Sequence, residues 1–129
     1  MSLVKLQSRL EKTLPDGRLE VRAGPGYRAI KLALINADFS TGPLPQAVVN
    51  AVIENPAYWA FCWGSGIALA RYLRMHKGIV SGQRVLDLGS GSGIVAIAAC
   101  LNEARLCLLY TSPSPRDQRG SRLAGAGGK

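Results

Sequence analysis

Hydrophobic positions change their spacing several times along this chain, and each spacing predicts a different element. Ser2 can cap a helix on which Leu3, Leu6 and Leu10 share one face while Lys5, Arg9 and Lys12 share another. Leu14-Pro15-Asp16-Gly17 then predicts a turn. Leu19 and Val21 alternate with Glu20 and Arg22, and beyond Ala23-Gly24-Pro25-Gly26 the residues Ile30, Leu32 and Leu34 repeat at period two, so a pair of strands is expected. Gly42, Pro43 and Pro45 predict a loop into a second helix, carried by Val48, Val49, Val52 and Ile53 and stopped before Pro56. A third helix is expected over Ile67–Arg74: Ile67, Ala70 and Leu73 face inward, opposite a solvated stripe of Arg71, Arg74 and Lys77, with Gly78 as C-terminal cap. After the turn at Ser81-Gly82-Gln83, Val85-Leu86-Asp87-Leu88 predicts a short apolar strand. Ile94 to Leu101 is apolar nearly all round, as a helix buried against a sheet would be.

Composition narrows the class without naming a function. A 129-residue chain with 47% hydrophobic and 19% charged residues is one globular domain's worth of sequence, which excludes a disordered tail or a collagen-like fibre. The most apolar stretch, Val85 to Leu101, is interrupted by Asp87, three glycines and two serines, so no membrane span is predicted. The first residues lack an apolar secretory core, and Lys5, Arg9 and Lys12 are interleaved with Glu11, Asp16 and Glu20, unlike a transit peptide; cytoplasmic residence is expected. Cys62, Cys100 and Cys107 have neither the count nor the spacing of a disulfide framework or a zinc site, so no metal is expected; Cys62 and Cys100 read as small buried hydrophobes. His76, the only histidine, falls at a helix end where it can complement the dipole. The formal charge of +8 raises a small basic binding module as one alternative, but the aromatics and basic residues of an RNA-reading sheet are not interleaved here.

The chemistry concentrates at Gly89-Ser90-Gly91-Ser92-Gly93, between the apolar strand and the apolar helix. Gly89 allows a sharp turn with positive φ, Gly91 lets a ligand approach the backbone, and Gly93 permits close packing where the helix begins. The helix start offers unpaired amides to an anionic group. A dinucleotide pattern starting at Gly89 would need glycine where Ile94 stands. The looser form fits Gly91, Gly93 and Ala96 and keeps a nicotinamide-dependent oxidoreductase as a second alternative. That register gives Gly89 and Asp87 no role. A carboxylate in an apolar strand is better explained by a ligand carrying an ammonium group.

Val85-Leu86-Asp87-Leu88-Gly89-Ser90-Gly91-Ser92-Gly93 resembles the first motif of the seven-strand (class I) S-adenosylmethionine-dependent methyltransferases. Upstream, Tyr58-Trp59-Ala60-Phe61-Cys62-Trp63-Gly64-Ser65-Gly66 and the helix after it resemble the segment preceding that motif in protein-lysine methyltransferases. The likeness is to the electron-transfer-flavoprotein β-subunit group and, more distantly, the ribosomal-protein methyltransferases; Gly64 stands where the first group often has proline. The resemblance extends from about Ala57 to Ala99. It implies an α/β fold, here the N-terminal fragment of a doubly wound, Rossmann-like sheet preceded by an α+β extension. It implies S-adenosyl-L-methionine as cofactor and a protein lysine as acceptor, with no membrane or nucleic-acid partner. Asp87 would lie near the cofactor's amino group, Gly89, Ser90, Gly91, Ser92 and Gly93 would form the floor, and Trp63, Gly64 and Ser65 would sit across the pocket. It assigns no catalytic residue.

The character of the chain changes at Cys107. The run Cys107 to Asp117 resembles the conceptual translation of a transposase-based sequencing adapter, which makes Leu106 about the last native residue. The organisation expected is therefore an extension over residues 1–55, the start of a methyltransferase domain over 56–106, and a non-native tail over 107–129. On this reading the first sheet strand lacks its neighbours, and neither a stable fold nor activity is expected of the fragment.

Overall fold

The computed structural model describes residues 2–40 and 42–110. In chain order the elements are α1 (Leu3–Glu11), β1 (Leu19–Gly24), β2 (Tyr27–Ile35), α2 (Gln46–Glu54), α3 (Gly64–Met75), β3 (Arg84–Leu88), α4 (Ile94–Leu101) and β4 (Leu106–Tyr110), with 3₁₀ turns at Tyr58–Ala60 and Lys77–Ile79. Every element expected from the periodicities is present, and β4 is additional.

Local chemistry explains most of the boundaries. Ser2 accepts from the Lys5 backbone N–H at 3.4 Å, capping α1, whose Leu10 is fully buried while Leu3 stays exposed. β1 and β2 form an antiparallel hairpin pairing Leu19 with Ile35 and Arg22 with Leu32. A bulge lies between Ala23 and Gly24, and Gly26 turns the chain at φ +69°. α3 corrects two expectations. It begins at Gly64, ahead of the expected start at Ile67, so Gly64, Ser65 and Gly66 form its first turn. It ends at His76, whose Nδ1 lies 3.0 Å from the Tyr72 carbonyl and whose ring stacks on Tyr72; Gly78 belongs to the following 3₁₀ turn and caps nothing.

The sheet expectation holds at the level of an α/β chain and no finer. Among the described residues the strands form two separate two-stranded sheets, the antiparallel hairpin of the expected extension and a parallel pair, β3 with β4. The parallel pair with α4 between its strands is a β–α–β unit, from which larger parallel sheets are built. β4 takes in Cys107, Leu108, Leu109 and Tyr110, the first four residues of the run that resembles adapter sequence. Ladder hydrogen bonds are made by backbone groups, so any β-tolerant apolar run can occupy this edge. The remainder of the expected tail lies outside the described residues.

Three apolar clusters hold these elements together. Tyr27, Ile30, Leu32 and Leu34 of the hairpin pack on Ala70 of α3 and on Ile94 and Ala98 of α4. Leu10, Leu14 and Ile35 pack with Ala57 and Ala60, backed by Val48 and Val52 of α2. Leu73, Val80 and Ala99 make the third, with Val85 and Cys107 against it. The first two clusters draw residues from both sides of the expected boundary at 55/56, so the extension and the glycine-turn segment share cores. One buried polar link reinforces that union: Asn102, 1% exposed, donates through Nδ2 to the Ala98 carbonyl at 2.7 Å and to the Tyr27 hydroxyl at 3.3 Å.

Removing either partner of that link should destabilise the chain unequally. Tyr27→Phe deletes one bond and is expected to cost about 0.5–1.5 kcal/mol, whereas Asn102→Ala deletes both side-chain bonds and takes the partner from the buried Tyr27 hydroxyl, and should cost about 1–3 kcal/mol. Urea midpoints of the two variants check the order.

Candidate functional site

β3 brings its alternating residues to the site with opposite orientations. Val85 and Asp87 lie half-buried on the α4 side, and Leu86 and Leu88 stay exposed on the other. The chain then turns through Gly89 (φ +67°), Gly91 (φ +52°) and Gly93 (φ +82°), three left-handed residues in five positions. L-residues with a Cβ avoid that region, which gives the alternating glycines their physical reason. The Gly93 N–H donates to the Ser90 carbonyl at 2.8 Å, closing the turn, and the Gly89 N–H donates to the Tyr110 carbonyl at 2.8 Å. A side chain at Gly89 would meet nothing within 4 Å, so the bend opens outward there.

Asp87 already has a partner within the chain. Its Oδ2 accepts from the Ala96 backbone N–H at 3.1 Å, so the carboxylate satisfies one of the free amides in the first turn of α4. Burial pushes the Asp87 carboxyl above its ordinary 3.8, and the Ala96 N–H opposes that with a smaller effect. Ser90 presents a different kind of demand. Its hydroxyl is buried and has no hydrogen-bond partner among the described residues, within a turn otherwise built of backbone bonds.

The segment expected to sit across the pocket does approach the turn through one residue. Trp63 Cδ1 lies 3.6 Å from the position a Cβ on Gly91 would take, and the Tyr58 carbonyl lies 3.9 Å from it. Trp63 Nε1 donates to that same carbonyl at 3.1 Å, which fixes the indole beside the turn. Beneath it, burial raises the Cys62 thiol while the neighbouring Ser92 hydroxyl works in the opposite direction. Gly64 and Ser65 are exposed on the first turn of α3, and a Cβ on Gly64 would contact nothing within 4 Å. Gly66 is the residue that needs to be small: a Cβ there would stand 3.2 Å from Ile94 Cγ2, so it sets how closely α3 and α4 approach. Sequence reasoning passed over Gly66 and the Tyr58 carbonyl. The repeated small residues at 64–66 carried a signal for the first, whereas a backbone acceptor leaves none.

The cysteines correct one expectation. Cys100 is exposed at the end of α4, while Cys62 and Cys107 are half-buried. The Cys107 thiol donates to the Ala96 carbonyl at 3.4 Å, and burial together with the adjacent Cys100 pushes it up to about 11.

The family model described as lysine methyltransferase matches residues 55–115, the stretch that contains Trp63, β3, the glycine turn and α4. That segment is similar to the lysine methyltransferase family. Among curated relatives, the lysine methyltransferase of the electron transfer flavoprotein beta subunit from Mus musculus is 53% identical over 47 residues, covering 36% of this chain and 18% of the relative. The Danio rerio protein of the same name is 53% identical over 58 residues, 45% of this chain and 22% of the relative. Protein N-terminal and lysine N-methyltransferase EFM7 from Candida albicans is 29% identical over 103 residues, 78% of this chain and 37% of the relative. The chain thus spans well under half the length of these lysine methyltransferases. No solved structure matches it. Neither the oxidoreductase nor the basic-module alternative finds support in these matches. No helix among the described residues is long and apolar enough to cross a membrane.

Two outcomes follow from the local physics of the turn. Gly93→Ala places a Cβ at φ +82° just before α4 and should cost about 1–2 kcal/mol of stability, read as a shift in urea midpoint. Asp87 behaves in the opposite sense. Because its carboxyl is raised in the folded chain, its contribution to stability is full below 3.8 and is lost as pH rises through the folded value. Asp87→Asn is therefore expected to raise the urea midpoint at neutral pH and to leave it unchanged well below 3.8.

Proposed function

We propose that this chain carries the cofactor-binding half of an S-adenosylmethionine-dependent methyltransferase whose acceptor is a lysine amine on a protein. The observation that carries the reading is the sequence β3, Asp87, three left-handed glycines and α4, with the Trp63 indole held 3.6 Å from the floor at Gly91. The residues present fit such a ligand. Gly89 and Gly91 leave room for a ligand against the backbone, and the buried, unpartnered Ser90 hydroxyl sits in the same turn.

Asp87 would hold the ammonium of the methionine moiety. An incoming cation would offset the burial that raises its carboxyl and would favour the charged form. Ser90 and Ser92 would offer hydroxyls to the ligand, and Gly89, Gly91 and Gly93 would shape the floor. Trp63, with Gly64 and Ser65 at the start of α3, would close the opposite side. When bound, S-adenosylmethionine supplies an electrophilic methyl group on a sulfonium. The protein's task toward an amine nucleophile is positioning and desolvation, which needs no covalent intermediate. Relatives named for lysine methylation of a protein support a protein acceptor. Within 1–106 we assign residues 1–55 to an extension and 56–106 to the start of the catalytic domain.

Calorimetric titration of the chain with S-adenosylmethionine tests the reading. Binding is expected, with Asp87→Ala and Gly91→Val each weakening it at least tenfold, and Val4→Ala, on the exposed face of α1, leaving it unchanged. Undiminished affinity in both site variants would overturn the assignment.

A further inference from the structure

Two large aromatic side chains at the rim of the glycine turn are left unexplained by packing. Tyr58 is 59% exposed and Trp63 is 50% exposed, although rings of this size are usually among the better-covered residues. Their rings meet edge to face, with centroids 5.9 Å apart and planes at 71°, so together they make a two-walled corner. The corner is rigid on its Trp63 side. The indole N–H is tied to the Tyr58 carbonyl, and Phe61 lies against the same indole at 5.7 Å. It is also placed beside the turn, since both the Trp63 ring and the Tyr58 carbonyl lie within 4 Å of where a Gly91 side chain would begin.

Two exposed aromatic rings steeply inclined to each other suit one class of ligand. The negative potential over each face attracts a cation, and an alkylated cation is weakly hydrated and gives up little by leaving water. We propose that Tyr58 and Trp63 form a recognition corner for an alkylated onium group, a sulfonium or a methylated ammonium, at the edge of the proposed cofactor site. This deepens the methyltransferase reading and rests on it for the sulfonium source. Tyr58 becomes a binding residue in its own right, and Trp63 acquires a reason to remain exposed.

The test compares each cation with a neutral molecule of the same shape. S-Adenosylmethionine is set against S-adenosylhomocysteine, its uncharged thioether, by calorimetry. Choline is set against 3,3-dimethylbutan-1-ol by following the Trp63 indole N–H resonance. Tyr58→Leu is expected to weaken the charged member of at least one pair about three- to tenfold and to spare the neutral member, while Tyr58→Phe, which keeps the ring face, restores binding. An effect confined to the first pair identifies a sulfonium, and one confined to the second identifies a methylated ammonium. Equal losses within both pairs, or no loss in either, overturn the corner and leave the cofactor assignment standing. If the unsubstituted chain binds neither adenosyl compound, the cofactor assignment fails instead and the choline pair alone decides the corner. Tyr58 is exposed, so its replacement should leave folding intact, which the amide spectrum of each variant verifies.

Discussion

The close approach at Ile94 is the constraint on which the rest of the molecule depends. This residue opens α4, is 2% exposed, and belongs to the cluster that joins the hairpin to α3 and α4. Three glycines surround it for three reasons. Gly93 precedes it at φ +82°, a conformation that lets the helix start directly after the turn. Gly66 brings α3 to within contact of its Cγ2, and a Cβ on Gly24 would stand 3.4 Å from its Cδ1. A larger residue at Gly24 or Gly66 would push an element away from the start of α4, and with it the turn that α4 holds in place.

From that point the site is assembled by elements that have little chemistry of their own. The hairpin contributes an apolar face and the Tyr27 hydroxyl that meets Asn102 at the far end of α4, so it braces this helix at both ends. α3 supplies its closely packed first turn, and the aromatic segment before it lays Trp63 beside Gly91. Asp87 connects strand to helix through the Ala96 amide while held in a partly buried, disfavoured charged state. Stability and ligand binding make opposing demands on that carboxyl. A residue that costs the empty fold something and suits a cationic ligand is what a binding site is expected to contain.

Much of this was legible in the residue pattern because the responsible forces are local. Period-two alternation identified the hairpin, Ser2 marked the start of α1, and Pro56 marked the limit of α2. The glycine turn was legible for a related reason: positive φ is a property of single residues, and glycines alternating after an apolar strand mark a left-handed bend there. The resemblance to lysine methyltransferases rests on the same residues. Cys100 was misjudged because an apolar helix has no internal mark of which positions its neighbours will cover. Gly78 was misjudged because α3 ends in a 3₁₀ turn, where a cap glycine is not required.

The sequence by itself determined the order of elements, the bend after β3 and the kind of chemistry that bend can serve, since each is dictated by backbone sterics and side-chain periodicity within a few positions. Tertiary structure alone decided the rest. It put the hairpin against α4, made Gly66 a packing contact, gave Asp87 the Ala96 amide as partner, and set the Tyr58 and Trp63 rings edge to face with Trp63 beside Gly91. Among the described residues it also set the strands as two separate pairs, β1 with β2 and β3 with β4. These outcomes depend on which surfaces meet across long sequence separations, and burial and hydrogen-bond pairing between distant segments are settled only when the chain closes on itself.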